Sequence, residues 1–206
     1  MKISIHNYIN YSKIEEPTDE QVLVSLFGLS SKQLNNLSVD EFKTHSTFAE
    51  NFLKINHSFS PYFKHKGVWY GFIPNLNDIT YGENKDLVRY ITDTSKAHRA
   101  IAVAYRPIKK NWLGKPVIKK GKYLIEDYNG TSNADVFLDL DAGVLLGMYV
   151  FFYNLTNELV RYTPNYLQYL GVLKELETTS RVSGETIKRY IHLHKEILQD
   201  LKIYLR

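Results

Sequence analysis

The stretch Tyr62-Phe63-Lys64-His65-Lys66-Gly67-Val68-Trp69-Tyr70-Gly71-Phe72-Ile73 interrupts a largely helical pattern and decides between an all-helical and a mixed fold. It is rich in aromatic and β-branched residues, has Lys66-Gly67 at its centre, and is closed by Pro74-Asn75. Such residues suit a pleated, half-buried surface, and a glycine-containing pair between two such runs signals a turn. The stretch therefore predicts a β-hairpin.

Towards the N-terminus the texture is helical. Residues 2–6 alternate polar and apolar and read as a short strand, but Pro17-Thr18-Asp19-Glu20 then opens a helix. Thr18 is its N-cap, and the acids sit in the first turn, where the helix dipole favours them. Val22, Leu23, Leu26 and Phe27 form its apolar face, and Gly28 ends it. Ser30, Ser31 and Ser38 are further caps, ahead of helices over 32–36 and 39–54. Phe42, Phe48, Phe52 and Leu53 form the stripe of the longer one.

Beyond the hairpin, Thr80-Tyr81-Gly82-Glu83 enters a helix carrying Leu87, Val88, Tyr90 and Ile91. A helix over 95–105 presents Ala97, Ala100, Ile101, Val103 and Ala104, small enough to admit a neighbouring helix, and Arg106-Pro107 stops it. Residues 107–122 read as a loop or short hairpin, 122–128 as a strand or extended segment, and Asn129-Gly130 as a turn. Residues 142–153 are the most apolar and are hydrophobic on all sides, which predicts a central buried helix. About 12 residues fall short of the roughly 20 that a membrane span needs. Gly143 and Gly147 form a small-residue face suited to another helix. Pro164 restarts a helix, residues 178–184 break it, and a last helix over 185–205 carries a stripe from Ile187 to Leu205.

The fold class is thus α+β and mainly helical: a helical N-terminal unit, a small β-hairpin or sheet, a central buried helix and long C-terminal helices. Residues 1–206 form a single domain, or a helical subdomain over 1–55 followed by an α+β core over 56–206. With 16 Tyr and 10 Phe but 2 Met among 206 residues, the apolar mass is aromatic and large enough for a sizeable core. The chain has no cysteine, which excludes disulfides, thiolate metal sites and a cysteine nucleophile and fits a reducing compartment. The first 16 residues contain no continuous apolar run of the signal-peptide kind.

No catalytic motif stands out, and neither a metal nor a cofactor is expected. His192 and His194 are two apart and point to opposite sides of a helix, so they cannot share a metal, although His194 with Asp200 or His98 stays open. Asp139 and Asp141 suit either a carboxylate pair or the capping of the apolar helix, and the cap is the simpler reading. Phosphate-loop, Rossmann and nucleophile-elbow patterns are all missing.

Charge is uneven. Residues 61–130 carry 13 Lys/Arg against 6 Asp/Glu, whereas residues 1–60 carry 5 against 7. The excess lies in Arg106, Lys109, Lys110, Lys115, Lys119, Lys120 and Lys122, with Trp112 among them and no acid between them. Three readings are open. The run is a solvated connection whose lysines discourage edge pairing, a docking loop for an acidic protein surface, or a nucleic-acid contact that grips phosphates and stacks on a base.

The segments Gly71-Phe-Ile-Pro-Asn-Leu-Asn-Asp-Ile-Thr-Tyr-Gly-Glu83, Asp86-Leu87, His98-Arg99-Ala100-Ile101-Ala102-Val103 and Tyr105-Arg106-Pro107-Ile108 resemble small proteins encoded by tailed bacteriophages. Tyr128-Asn-Gly-Thr131 and Leu145 to Leu155 extend the resemblance. Val22-Leu-Val-Ser-Leu-Phe-Gly-Leu-Ser-Ser31 with Leu37-Ser-Val-Asp-Glu-Phe42 is similar to the opening of phage tail assembly chaperones. The resemblance covers roughly residues 18–160. It implies a non-enzymatic morphogenesis protein in the host cytoplasm, a tail assembly chaperone binding phage structural proteins. The alternative is a virion component, such as a connector, ring or packaged protein; a nucleic-acid-binding accessory is a weaker one. Assembly into a homo-oligomer is left open, and no membrane partner is expected.

Overall fold

The computed structural model describes residues 1–54 and 57–169. The break over 178–184, the helix over 185–205 and the histidines His192 and His194 lie outside the described residues. Seven α-helices and a small antiparallel sheet make the described part α+β and mainly helical, as the sequence reading expects.

The chain divides into two compact units, Met1–Gly147 and Met148–Arg206. The N-terminal helices and the sheet both lie in the first of these units. In that first unit α1 is Ile5–Tyr11, α2 Asp19–Phe27, α3 Ser31–Asn35 and α4 Val39–Lys54. Strands β1 (Tyr62–His65) and β2 (Val68–Phe72) form the expected hairpin, with Tyr62 opposite Gly71 and His65 opposite Val68. Lys66 and Gly67 both have positive φ, 45° and 81°, the mirror-image turn that matches the twist of paired strands. Next come α5 (Tyr81–Ile91), α6 (Ala97–Ala104), β3 (Tyr105–Pro107), β4 (Ile118–Lys119), β5 (Lys122–Tyr123) and the start of α7 (Ala142–Tyr169).

Four features differ from the sequence reading. Residues 2–6 are not a strand: Ser4 caps α1 by accepting a hydrogen bond from Asn7 N, and Ile5, Tyr8 and Ile9 are buried with helical spacing. Only Ile3 and Ser4 are extended in pairing, where Ser4 bridges Asp141 and Ile3 O accepts from Ala142 N at 2.8 Å. Secondly, Arg106-Pro107 does more than stop α6. It lies in β3, which pairs with β2 as the third strand of the order β1-β2-β3. Pro107 has no N–H to give the ladder, and the bond to β2 at this end comes from the next residue, Ile108 N donating to Trp69 O at 2.8 Å.

Thirdly, the small face of α7 takes the extended segment before β1 rather than a helix, with the His57 side chain at Gly143 and the Ser58 backbone at Gly147. A Cβ on Gly147 would lie 2.4 Å from the carbonyl oxygen of Ser58, so the chain entering β1 runs directly against this glycine. Fourthly, Pro164 restarts nothing, since α7 runs through it to Tyr169. Within the second unit the described chain is this helix from Met148 onward, where Thr156 Oγ1 donates to Phe152 O at 2.8 Å.

The core of the first unit is aromatic. Phe63 packs on Tyr70 and Tyr105, Tyr70 on Phe137, and Phe72 on Tyr105, with centroids 4.9 to 5.7 Å apart. Ala97, Ala100, Ile101, Val103 and Ala104 of α6 are all buried. Tyr105 spends its hydroxyl on Ser60 O at 2.7 Å, and burial keeps the phenol protonated far above its ordinary range. Ala142, Leu145 and Leu146 are buried at the start of α7, in keeping with its apolar sequence.

Two glycine substitutions separate helix propensity from packing. A Cβ on Gly82, near the start of α5, would meet nothing within 4 Å. Gly82→Ala should therefore stabilise by up to about 1 kcal/mol. Gly147→Ala gains the same propensity but drives a methyl into the Ser58 carbonyl, where overpacking costs about 1 to 3 kcal/mol or more. Thermal unfolding should show Tm rising for the first variant and falling for the second.

Candidate functional site

The basic run is a folded arm. Its base continues the sheet: Ile108 is fully buried and donates from N to Trp69 O, while Lys109 N donates to Leu124 O and Glu126 N to Pro107 O, at 2.8 to 2.9 Å. Ile108 bridges Ile125 and Lys110 bridges Pro116. Two turns project from this base. In the first, Asn111 Oδ1 accepts from Leu113 N and Lys115 N, and Gly114 takes φ 72°. In the second, β4 and β5 pair around Lys120 (φ 51°) and Gly121 (φ 76°).

One tyrosine clasps the second turn to the sheet. Tyr123 lays its ring over Gly71, where a Cβ would come within 2.3 Å of it, and donates its hydroxyl towards Pro61 O at 2.6 Å and Phe72 O at 3.1 Å. Gly71 is thus the opening in β2 that lets the arm dock.

The surface of the arm is cationic with an apolar tip. Lys109, Lys110, Lys115, Lys119, Lys120 and Lys122 are all exposed. Among the described residues only Lys109 of the six has a carboxylate within 4.0 Å, Asp127 at 3.6 Å. Trp112 is 90% exposed and Leu113 beside it 56%.

Arg106 does not belong with them. Its guanidinium is largely buried and pairs through Nη1 with Oε1 of the buried Glu83 at 2.7 Å. The other oxygen of Glu83 accepts from Thr80 N at 2.7 Å, while Glu83 N donates to Thr80 Oγ1, which closes the capping box of α5. Arg106 also lies 6.0 Å from the Tyr128 ring, and Tyr128 donates its hydroxyl to Asp86 at 2.6 Å. Burial and that carboxylate push the Tyr128 phenol far up, so it stays a donor. Clefts of about 220 and 520 Å³ are each lined in part by Arg106, Asp127 and Tyr128. The sequence does signal the capping box, Thr80 three residues before Glu83, but holds no sign that the second carboxylate oxygen reaches β3.

The carboxylates near α7 serve different neighbours. Asp141 Oδ1 accepts from Gly143 N at 2.8 Å, the capping role. Asp139 meets Lys66 at 2.9 Å and His65 at 3.2 Å, and Lys66 holds its carboxyl below the ordinary range. Asp135 faces the largely buried His98 at 3.4 Å, and burial lowers the basicity of that imidazole. Among the described residues no three His, Asp or Glu converge as a metal site would require. None of the described helices is long and apolar enough to cross a membrane.

A second surface lies on α2 to α4. Thr18, Ser30 and Ser38 each accept from the backbone three residues on, and Gln21, Gln33 and Glu41 return the bond, so each helix starts on a reciprocal cap. Phe52 and Ala49 of α4 are buried, but Phe27, Phe42 and Phe48 are only partly covered and Val39 is 71% exposed. Phe27 rests on His45 and Phe48, with centroids 4.9 and 6.0 Å away.

Comparison with known proteins returned no matching family model, no matching curated protein and no matching solved structure.

The clasp can be tested directly. Gly71→Ala should expel the Tyr123 ring, because a methyl cannot share its space. Amide hydrogen exchange in residues 118–123 should accelerate at least about tenfold, a loss of about 1.4 kcal/mol of local stability, while exchange in α6 stays unchanged.

Proposed function

We propose that this chain is a non-enzymatic bacteriophage morphogenesis protein, a tail assembly chaperone that holds virion proteins on the outer face of α2 to α4. The observation that carries the reading is the incompletely covered aromatic stripe of that face. Phe27, Phe42 and Phe48 keep part of their surface in solvent, next to the exposed Val39. An isolated exposed apolar residue is ordinary, but grouped ones rimmed by polar residues mark an interaction surface. Reciprocal caps fix the ends of these short helices, and a preformed face loses less entropy on binding. The likeness of residues 22–42 to the opening of phage tail assembly chaperones falls on these same helices.

The remaining likeness falls on framework residues: Gly71 beneath Tyr123, Glu83 against Arg106, His98 near Asp135, and Tyr128 on Asp86. These residues hold elements together. That distribution agrees with a protein whose work is to bind rather than to transform.

The test is co-expression of the tagged chain with the tail proteins encoded beside it. Phe42→Ser together with Val39→Ser should cut the recovered tail protein at least about fivefold while lowering Tm by only a few degrees, because both side chains are partly solvated already. Unchanged recovery would contradict the assigned face. Stoichiometric presence of the chain in purified particles would replace the chaperone reading with that of a virion component.

A further inference from the structure

The arm is not used by the client face on α2 to α4, and its chemistry is different. It offers six exposed lysines, one of them near a carboxylate, and no acid anywhere between Arg106 and Ile125. Protein interfaces are depleted in lysine and enriched in arginine, because a mobile ammonium is costly to immobilise and desolvate. A phosphate backbone has the opposite requirement. It rewards many dispersed cations that displace condensed counterions, and it does not ask that any one be fixed. Trp112, 90% exposed on a turn fixed by Asn111 and Gly114, presents a ring free to take a base. Stacking of that kind needs a base out of its duplex, which single strands supply.

We propose that the arm over residues 107–126 binds single-stranded nucleic acid, the lysines tracking phosphates and Trp112 stacking on a base. Arg106 takes no part, since its charge is committed to Glu83. The tip and the lysine collar are held by backbone pairing at the base and by the Tyr123 clasp, so the site is preformed.

The experiment is fluorescence anisotropy of a labelled twenty-residue oligo-dT strand titrated with the full chain. At about 50 mM salt the strand should bind, and log K should fall with log salt at a slope no steeper than about −4, the limit for six phosphate contacts on a single strand. Lys119→Glu with Lys120→Glu should weaken binding at least about tenfold and flatten the slope. Trp112→Ala should weaken it about fivefold to a hundredfold without altering the slope. A control of equal charge change, Lys13→Glu with Lys32→Glu, places both reversals on exposed positions of the N-terminal helical region and should cost much less. All five positions changed on the arm or in the control are exposed, so circular dichroism and Tm should match the parent chain.

Three results would overturn the proposal. One is no binding at low salt. Another is equal loss from the arm and control reversals, which would mean a diffuse charge effect. The third is equal or tighter binding of poly-L-glutamate, which would assign the arm to an acidic protein surface.

Discussion

A carboxylate taken out of water loses several kcal/mol of hydration, and only close, well-aligned partners return it. Glu83 meets that condition with both oxygens: one closes the first turn of α5 on Thr80, the other pairs with Arg106 at 2.7 Å. Arg106 stands in β3, between Tyr105 of the aromatic core and Pro107, whose carbonyl receives the returning strand at Glu126. The pair therefore ties a helix start, the third strand and the root of the arm in one contact. Such a pair is weak as a net source of stability but exacting in geometry. With either partner removed, the other is left charged and largely buried without its counter-ion.

The sheet converts this fixed point into outward features. Because β3 is set, Ile108 can bury and the chain can leave the core in a single direction. Gly71 opposite Arg106 leaves the gap that Tyr123 fills. An arm rooted in this way presents Trp112 without needing a core of its own. The partly covered aromatic face on α2 to α4 has a separate origin, in reciprocal caps and the packing of Phe27 on His45 and Phe48.

Much of this was legible in the residues. Cap residues followed three positions later by Gln or Glu place the starts of α2 to α5 closely, because a capping box is local chemistry. Lys66-Gly67 places the hairpin turn for the same reason. What failed was non-local. Residues 2–6 alternate like a strand, yet Ser4 caps a helix; the extended pairing of Ile3 and Ser4 depends on residues 140–142, far along the chain. Gly143 and Gly147 announce close approach without saying what approaches, and at Gly147 the answer is the Ser58 carbonyl. Arg106 reads as one more cation of a basic run, and only the fold shows it turned inward. The basic run was visible as composition, but its two turns and the Tyr123 clasp depend on pairing across the sheet.

The Glu83–Arg106 pair acts as a joint rather than as two separate contributions. A double-mutant cycle with Glu83→Gln and Arg106→Met, followed by urea unfolding, measures that coupling, because Gln can keep the Thr80 cap as Gln21 and Gln33 do for α2 and α3, and any residual change there cancels between the two arms of the cycle. Each single change should cost about 3 kcal/mol or more, and the double change should cost at least about 2 kcal/mol less than the sum of the two. Costs that simply add within about 0.5 kcal/mol would show that the two groups do not depend on each other, and would contradict the account.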